Sequence, residues 1–334
     1  MQNTIAFFEV QPWEKKILKN AFPEALFYEE QLTAETVKLS KDADIISVFI
    51  YSTITAELCA KLPHVRFIAT RSTGLDHIDV PYCTQHNILV SNVPEYGSNT
   101  VAEHTFALIL SLSRKIYQSV NQAKQLNFDH AQIRGTDLNG KTLGIIGLGK
   151  IGLNVLRIAN GFGMNVIVST HSKDILLQES YDFEYVTIDE LVESSDFISL
   201  HLPLTKETKH IINNDRINKM KMGTFLINTA RGGLVDTKAL IAGINSGKLA
   251  GVALDVLEEE KEMSEEAEIL TPEFRKEADM ETLVINHYLM ANPKVLITPH
   301  NAFNSVEALK RIDNTTVENI RAFIDNSPIN TVNK

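Results

Sequence analysis

At 334 residues the chain is too long for one ordinary hydrophobic core, so two domains are expected. Hydrophobic residues at 44% and charged residues at 22% sit near the globular average, which argues against long disorder, and no apolar run has membrane-spanning length. A net charge of −10 without a basic stripe disfavours nucleic acid as a partner. The start, Met1-Gln2-Asn3-Thr4, has no basic segment leading into an apolar one, so a cytoplasmic location is expected, with no membrane partner. Cys59 and Cys83 lie on separate segments without metal-ligand spacing; they read as two reduced thiols, and no metal is expected.

Short runs rich in Val, Ile and Phe predict strands at residues 5–10, 45–50, 67–70 and 88–91. Amphipathic stretches separate them, such as 55–62, where Leu58 and Leu62 share a helical face. Next comes the clearest helix of the chain, capped by Ser98 or Asn99 and carrying Ala102, Phe106, Ile109 and Leu112 before its pattern fades beyond Ile116. Such a long, apolar helix is expected to be buried where two α/β sets meet. A second strand series follows at 143–146, 166–169, 197–200, 225–228, 251–256 and 295–298. Strands alternating with helices indicate βαβ units and parallel sheets, here in two sets. A last helix, 305–324, would carry the C-terminus back to the first set. Residues 258–281 hold eleven acids against three bases, but Ile269, Leu270 and Phe274 interrupt them. An exposed, partly helical acidic insertion over 258–293 is expected.

Leu143-Gly144-Ile145-Ile146 runs straight into Gly147-Leu148-Gly149-Lys150-Ile151-Gly152, and a helical pattern follows. Gly147 permits a tight turn, Gly149 a close approach to a pyrophosphate, and Gly152 close packing of helix on strand. A dinucleotide is therefore the expected cofactor. The next strand should end in an acid for the ribose 2′-hydroxyl, yet it ends Ser169-Thr170-His171-Ser172-Lys173, and Asp174 comes late. Thr170, His171, Ser172 and Lys173 are candidate cofactor contacts. They suit a 2′-phosphate, or else form a polar loop in an enzyme that uses NAD, so NAD and NADP both stay open.

Arg231, the carboxylates after Asp255, and His300 each fall just past a predicted strand end, the edge where open parallel sheets bind ligands. Together they suit reduction of an oxo acid. A guanidinium holds a carboxylate and polarises a carbonyl, an imidazole moves the hydroxyl proton, and a carboxylate orients the imidazole. Tyr51, at a first-set strand end, either faces the substrate side chain or is an ordinary interfacial aromatic.

These segments, with Arg71-Ser72-Thr73-Gly74-Leu75-Asp76-His77-Ile78-Asp79, Asn92-Val93-Pro94-Glu95-Tyr96-Gly97, Val101-Ala102-Glu103-His104 and His201-Leu202-Pro203-Leu204-Thr205, resemble the D-2-hydroxyacid dehydrogenase family over nearly the whole chain. The resemblance implies an α/β fold of two Rossmann-like doubly wound domains. A dinucleotide-binding domain at 99–298 is inserted into a discontinuous substrate domain made of 1–98 and 299–334. It implies an NAD(P)-dependent enzyme interconverting a small 2-oxo acid and its D-2-hydroxy acid, working as a homodimer. Arg231 matches the family's substrate arginine and His300 its acid/base. The paired glutamate lies five residues past the aspartate, at Glu260 in preference to Glu258 and Glu259. Thr73 and Gly74 match the turn that receives the substrate carboxylate, and Asp255 the residue meeting the nicotinamide carboxamide. Val101, Lys150, Ile151, Leu202, Pro203, Thr208, Thr229 and Ala230 are expected to line the cofactor. The chain departs from the family in the missing acid after residue 169 and in the long interval from Glu260 to His300. The latter is similar to, and longer than, the insertion of D-lactate-dehydrogenase-like members, which turns the substrate expectation toward pyruvate and D-lactate. Other functions compatible with the fold are a nucleotide-sensing, corepressor-like binding protein and a relative that oxidises formate or phosphite.

Overall fold

The computed structural model describes residues 3–258 and 280–333. The chain divides into two compact units, one formed by residues up to Gly97 with those from Asn304 onward, the other by Ser98–Phe303. The return crossing therefore comes a few residues later than expected. The reason is local: the amides of His300, Asn301 and Ala302 are all hydrogen-bonded to Asp255, which ties that stretch to the second unit.

In the first unit, β1 (Ile5–Phe7), β2 (Leu26–Phe27), β3 (Ile45–Val48), β4 (Phe67–Thr70) and β5 (Leu89–Ser91) form a parallel sheet in the order β2-β1-β3-β4-β5. Strands β1, β3 and β4 are buried throughout, which explains their unbroken apolar runs. β1 is shorter than the run 5–10 because Glu9 takes a left-handed conformation, φ 58°, and turns the chain out of the sheet. Strand β2, of two residues, is too short to leave a periodic signal. Helices α1 (Pro12–Ala21), α2 (Ala56–Cys59) and α3 (Val80–Gln85) connect the strands. The C-terminal helix, Val306–Ile324, packs on β4, where Phe67 stacks on Phe323 at 4.4 Å. The tail then runs beside β5, the Asn333 side chain accepting from Val90 N at 2.7 Å.

The second unit opens with α4 (Ser98–Ser113), in which Asn99 lies inside the helix and donates to Glu103 at 2.6 Å instead of capping it. Its apolar residues enter this unit's own core, with Ala102, Phe106 and Ile109 beside Leu143, Val155 and Ile227. Lys115, φ 51°, breaks the helix, and α5 (Ile116–Lys124) follows. The seven-stranded sheet consists of β6 (Thr142–Ile146), β7 (Asn165–Ser169), β8 (Glu184–Tyr185), β9 (Phe197–Leu200), β10 (Thr224–Asn228), β11 (Leu249–Leu254) and β12 (Val295–Ile297). All pairs are parallel and the order is β12-β11-β10-β9-β6-β7-β8, so the strand order reverses between β6 and β9. That reversal is the dinucleotide crevice of a doubly wound sheet. The connecting helices are α6 (Lys150–Gly161), α7 (Ile175–Ser180), α8 (Ile188–Ser194), α9 (Asn214–Lys219), α10 (Thr237–Asn245) and α11 (Met280–Ala291). Of the acidic stretch, 259–279 lies outside the described residues, Glu260 among them. Its last part is α11, which places Leu289 in the core. No helix among the described residues is long and apolar enough to cross a membrane.

Candidate functional site

The fingerprint loop leaves β6 at Gly147, whose φ of 97° suits only glycine and whose amide donates to Ser169 O at 2.8 Å. A Cβ at Gly147 would stand 2.4 Å from the His201 carbonyl, and one at Gly152 would stand 2.2 Å from the Gly147 carbonyl. Both positions are closed to any side chain. Gly149 differs: it is the N-cap of α6, it caps with no side chain, and a Cβ there would meet nothing within 4 Å. An exposed, side-chain-free helix start with open space above it fits a pyrophosphate, towards which the positive end of the α6 dipole is directed. Lys150 is exposed beside it and Ile151 half-buried.

Across the switch point, His201 accepts or donates a 2.8 Å hydrogen bond with Ser199, and burial lowers its pKa to about 3, so its imidazole is neutral. Leu202 and Pro203 follow directly, and Thr208 closes their turn by donating to Pro203 O at 2.7 Å. After β7, Thr170 is half-buried while His171, Ser172 and Lys173 are exposed. The Lys173 ammonium lies 5.7 Å from the centre of the Tyr185 ring. Asp174, the nearest acid, caps α7 by accepting from Leu176 N at 2.9 Å and Leu177 N at 3.3 Å. It is thus engaged in the helix cap.

The ends of β10, β11 and β12 lie side by side, and their loops are laced together. Asp255 N donates to Asn228 O at 2.9 Å, and His300 N donates to Asp255 O at 2.8 Å. The Asn228 side chain folds the Arg231 loop by donating to Arg231 O at 2.8 Å and accepting from Ala230 N at 3.0 Å. Thr229, buried, bonds Thr105 of α4 at 3.0 Å, one turn after the half-buried Val101, whose carbonyl accepts from Thr105 at 2.8 Å. Arg231 itself is half-buried. Gly232 is obligatory, since a Cβ there would stand 2.0 Å from Leu257 O.

Asp255 is almost wholly buried. One oxygen accepts from Asn301 N at 2.8 Å and from the Thr298 hydroxyl, the other from Ala302 N at 2.9 Å, and His104 stands 3.4 Å away. Burial works against its charge, but the bonds from His104, Thr298, Ala302 and Asn301 outweigh it and hold the carboxyl below its ordinary pKa. This carboxylate fixes the turn that carries His300, φ 49°. Both its oxygens have partners within this unit, Oδ1 those from Asn301 and Thr298 and Oδ2 that from Ala302. His104 was legible only as part of the Val101-Ala102-Glu103-His104 segment, with no role attached. The His300 ring is 6.4 Å from Phe303, edge to face. Glu258 is committed elsewhere: His210 lies 2.6 Å from one oxygen, and Thr237 donates to the other through its hydroxyl at 2.5 Å and its amide at 3.3 Å.

In the first unit, Tyr51 is 61% exposed, and its amide donates to the Glu9 carboxylate at 3.0 Å. Thr73 is exposed and donates to Val93 O at 2.6 Å, while Gly74 O accepts from Ser72 at 2.8 Å. Arg231, Asp255 and His300 thus share one sheet edge of the second unit, whereas Tyr51, Thr73 and Gly74 share one edge of the first.

Residues 106–302 match the family described as D-isomer specific 2-hydroxyacid dehydrogenase, NAD binding domain. The chain is 36% identical over 309 residues to 2-hydroxyacid dehydrogenase homolog 2 of Schizosaccharomyces pombe, covering 91% of this chain and 90% of that one. It is 37% identical over 287 residues to an aromatic 2-oxoacid reductase of Clostridium sporogenes, covering 85% and 84%. Among solved structures, D-lactate dehydrogenase from Aquifex aeolicus complexed with NAD and lactic acid superposes with a TM-score of 0.85 at 37% identity, over 97% of this chain and 96% of that one.

Proposed function

Because the chain belongs to the D-isomer-specific 2-hydroxyacid dehydrogenase family, and is therefore an NAD(P)-dependent oxidoreductase of 2-hydroxy and 2-oxo acids, we propose that its substrate pair is a small 2-oxo acid and the D-2-hydroxy acid, with pyruvate and D-lactate first among candidates. The observation that carries this reading is the hydrogen-bond network of Asp255, which ties together the loops of Arg231 and His300 on the strand ends to either side of β11. In it, Arg231 holds the substrate carboxylate and draws charge from the carbonyl oxygen. His300 gives the hydroxyl proton in reduction and takes it in oxidation, with Glu260 favouring the charged imidazole. The engagement of Glu258 with His210 and Thr237 supports Glu260 over Glu258 for that task. Thr73 and Gly74 offer the turn for the carboxylate, and Tyr51 faces the substrate side chain. The dinucleotide, seated over Gly149, supplies or accepts hydride at its nicotinamide. Self-association as a homodimer belongs to the same reading.

The test is a panel of 2-oxo acids with NADH and with NADPH, the product resolved on a chiral column. Pyruvate or a close analogue is expected to be reduced to the D-product. Arg231→Gln and His300→Gln should each lower kcat/KM by roughly 10² or more, as expected for loss of an oriented charge or an acid/base. An L-product, or near wild-type turnover in either variant, would remove the corresponding assignment.

A further inference from the structure

We infer that Glu9 is a positioning residue that holds the loops 51–52 and 72–74 in register with each other and so sets discrimination among 2-oxo acid side chains. The inference rests on the proposal that Tyr51 and Thr73 face substrate.

In a parallel sheet ordered β2-β1-β3-β4-β5, the chain leaves β1 and β3 in opposite senses, and a crevice opens at their C-terminal ends. Glu9 follows β1, and Tyr51 and Ser52 follow β3, so all three stand at this crevice. The Glu9 carboxylate fills it. One oxygen accepts from Tyr51 N at 3.0 Å; the other accepts from Ser52 N at 2.9 Å and from the Ser52 hydroxyl. Two successive amides turned onto one carboxylate form the kind of nest with which loops bind anions. Here a side chain of the protein takes the anion's place. Glu9 is only 5% exposed, so little water replaces these donors if they are lost.

The backbone of Glu9 does a second job. Its left-handed conformation, φ 58°, costs a non-glycine residue about 1 kcal/mol and must be held by its surroundings. Its amide donates to Glu30 O at 3.0 Å, and its carbonyl accepts from the Arg71 guanidinium at 3.1 Å. Arg71, entirely buried, also donates to Phe8 O at 2.7 Å and to Ser47 at 3.2 Å. The next residues are Ser72, Thr73 and Gly74. Glu9 thus grips one candidate substrate loop by its carboxylate and, by its carbonyl, the arginine that begins the other. Tyr51 is fixed through its amide while its ring stays exposed, edge-on to Phe49 at 6.0 Å. A shift of the amide moves the ring.

The experiment measures kcat and KM for pyruvate and for phenylpyruvate, with KM for NADH, in wild type, Glu9→Gln, Ser52→Ala and Tyr51→Ala. Glu9→Gln keeps the shape but turns an NH2 group toward an amide that needs an acceptor. Its ratio of kcat/KM is expected to move about fivefold toward the bulkier acid, through KM, with KM for NADH unchanged. Ser52→Ala, which removes one donor and leaves the carboxylate, should move the ratio the same way by less, and it decides the matter if the Gln variant does not fold. A merely structural Glu9 would lower stability and leave the ratio at its wild-type value; that result overturns the inference. If Tyr51→Ala shifts the ratio and neither other variant does, Glu9 alone is dismissed. If Tyr51→Ala also leaves it unchanged, the substrate-facing reading of Tyr51 falls and takes this inference with it.

Discussion

A carboxyl group buried beside another carboxyl must find a cation or keep its proton, and Asp313 on the C-terminal helix is in that position. It has no exposed surface, and neither of its oxygens meets a donor among the described residues. Glu14 of α1 stands beside it, paired with Arg71 at 3.3 Å, so one cation faces two acids. Burial, then the Glu14 charge, raise Asp313 from its ordinary 3.8 to about 7 despite Arg71. A proton held between the two acids would satisfy both. The folded state then binds more protons than the unfolded chain between those two values, so this group's contribution to stability is full below the lower one and declines as pH rises through the higher. Asp313→Asn, which imitates the protonated acid and can donate to Glu14, should flatten the dependence of the urea midpoint on pH between about 4 and 7. It should also exceed wild type above neutrality. Parallel pH curves for the two proteins would dismiss the shared proton.

At the scale of elements, strand ends were the most legible part of this chain, because their chemistry is written in backbone constraints. Gly147 and Gly152 each answer a steric demand that the structure repeats atom by atom, and Gly149 leaves the start of α6 open. The fold class followed from alternating elements in the same way. Long-range partners were not legible: the ligands of Asp255 lie more than forty residues ahead of it, and no local pattern says that a carboxylate will be buried there. The two-residue strands β2 and β8 and the left-handed turn at Glu9 escaped for a related reason, since only tertiary contacts select them. The loop after β7 is intermediate. Its missing acid was visible, and the structure adds that Asp174 is bound into the α7 cap and that Lys173 rests near Tyr185. The carboxylate of that loop is turned into the α7 cap, and a lysine stands within the same loop. Lys173→Ala is therefore expected to lower kcat/KM for NADPH about tenfold while leaving NADH within about twofold, the scale of one charged hydrogen bond. An unchanged ratio would show that the loop does not read the phosphate.

For the whole molecule, the homodimer proposed above has a candidate contact surface on the second unit. The charge of −10 includes the excess of eight acids in 258–281, so the remainder of the chain is close to neutral. Around α5, by contrast, large apolar side chains face outward: Ile116, Tyr117 and Val120 on the helix, then Leu126 at 83% and Phe128 at 78% exposure. Five such residues within thirteen positions form a patch that single surface hydrophobics do not account for. A two-fold axis would place the patch of one copy on that of the other, the self-complementary contact that closes a homodimer. A stable dimer of this kind buries about 800 Å² or more per partner. Sedimentation equilibrium at micromolar concentration is expected to return twice the chain mass. The double variant Leu126→Ser, Phe128→Ser should shift the protein toward the monomer, with circular dichroism unchanged. A wild-type monomer, or a dimer that the double variant leaves intact, would place the contact elsewhere or abolish it.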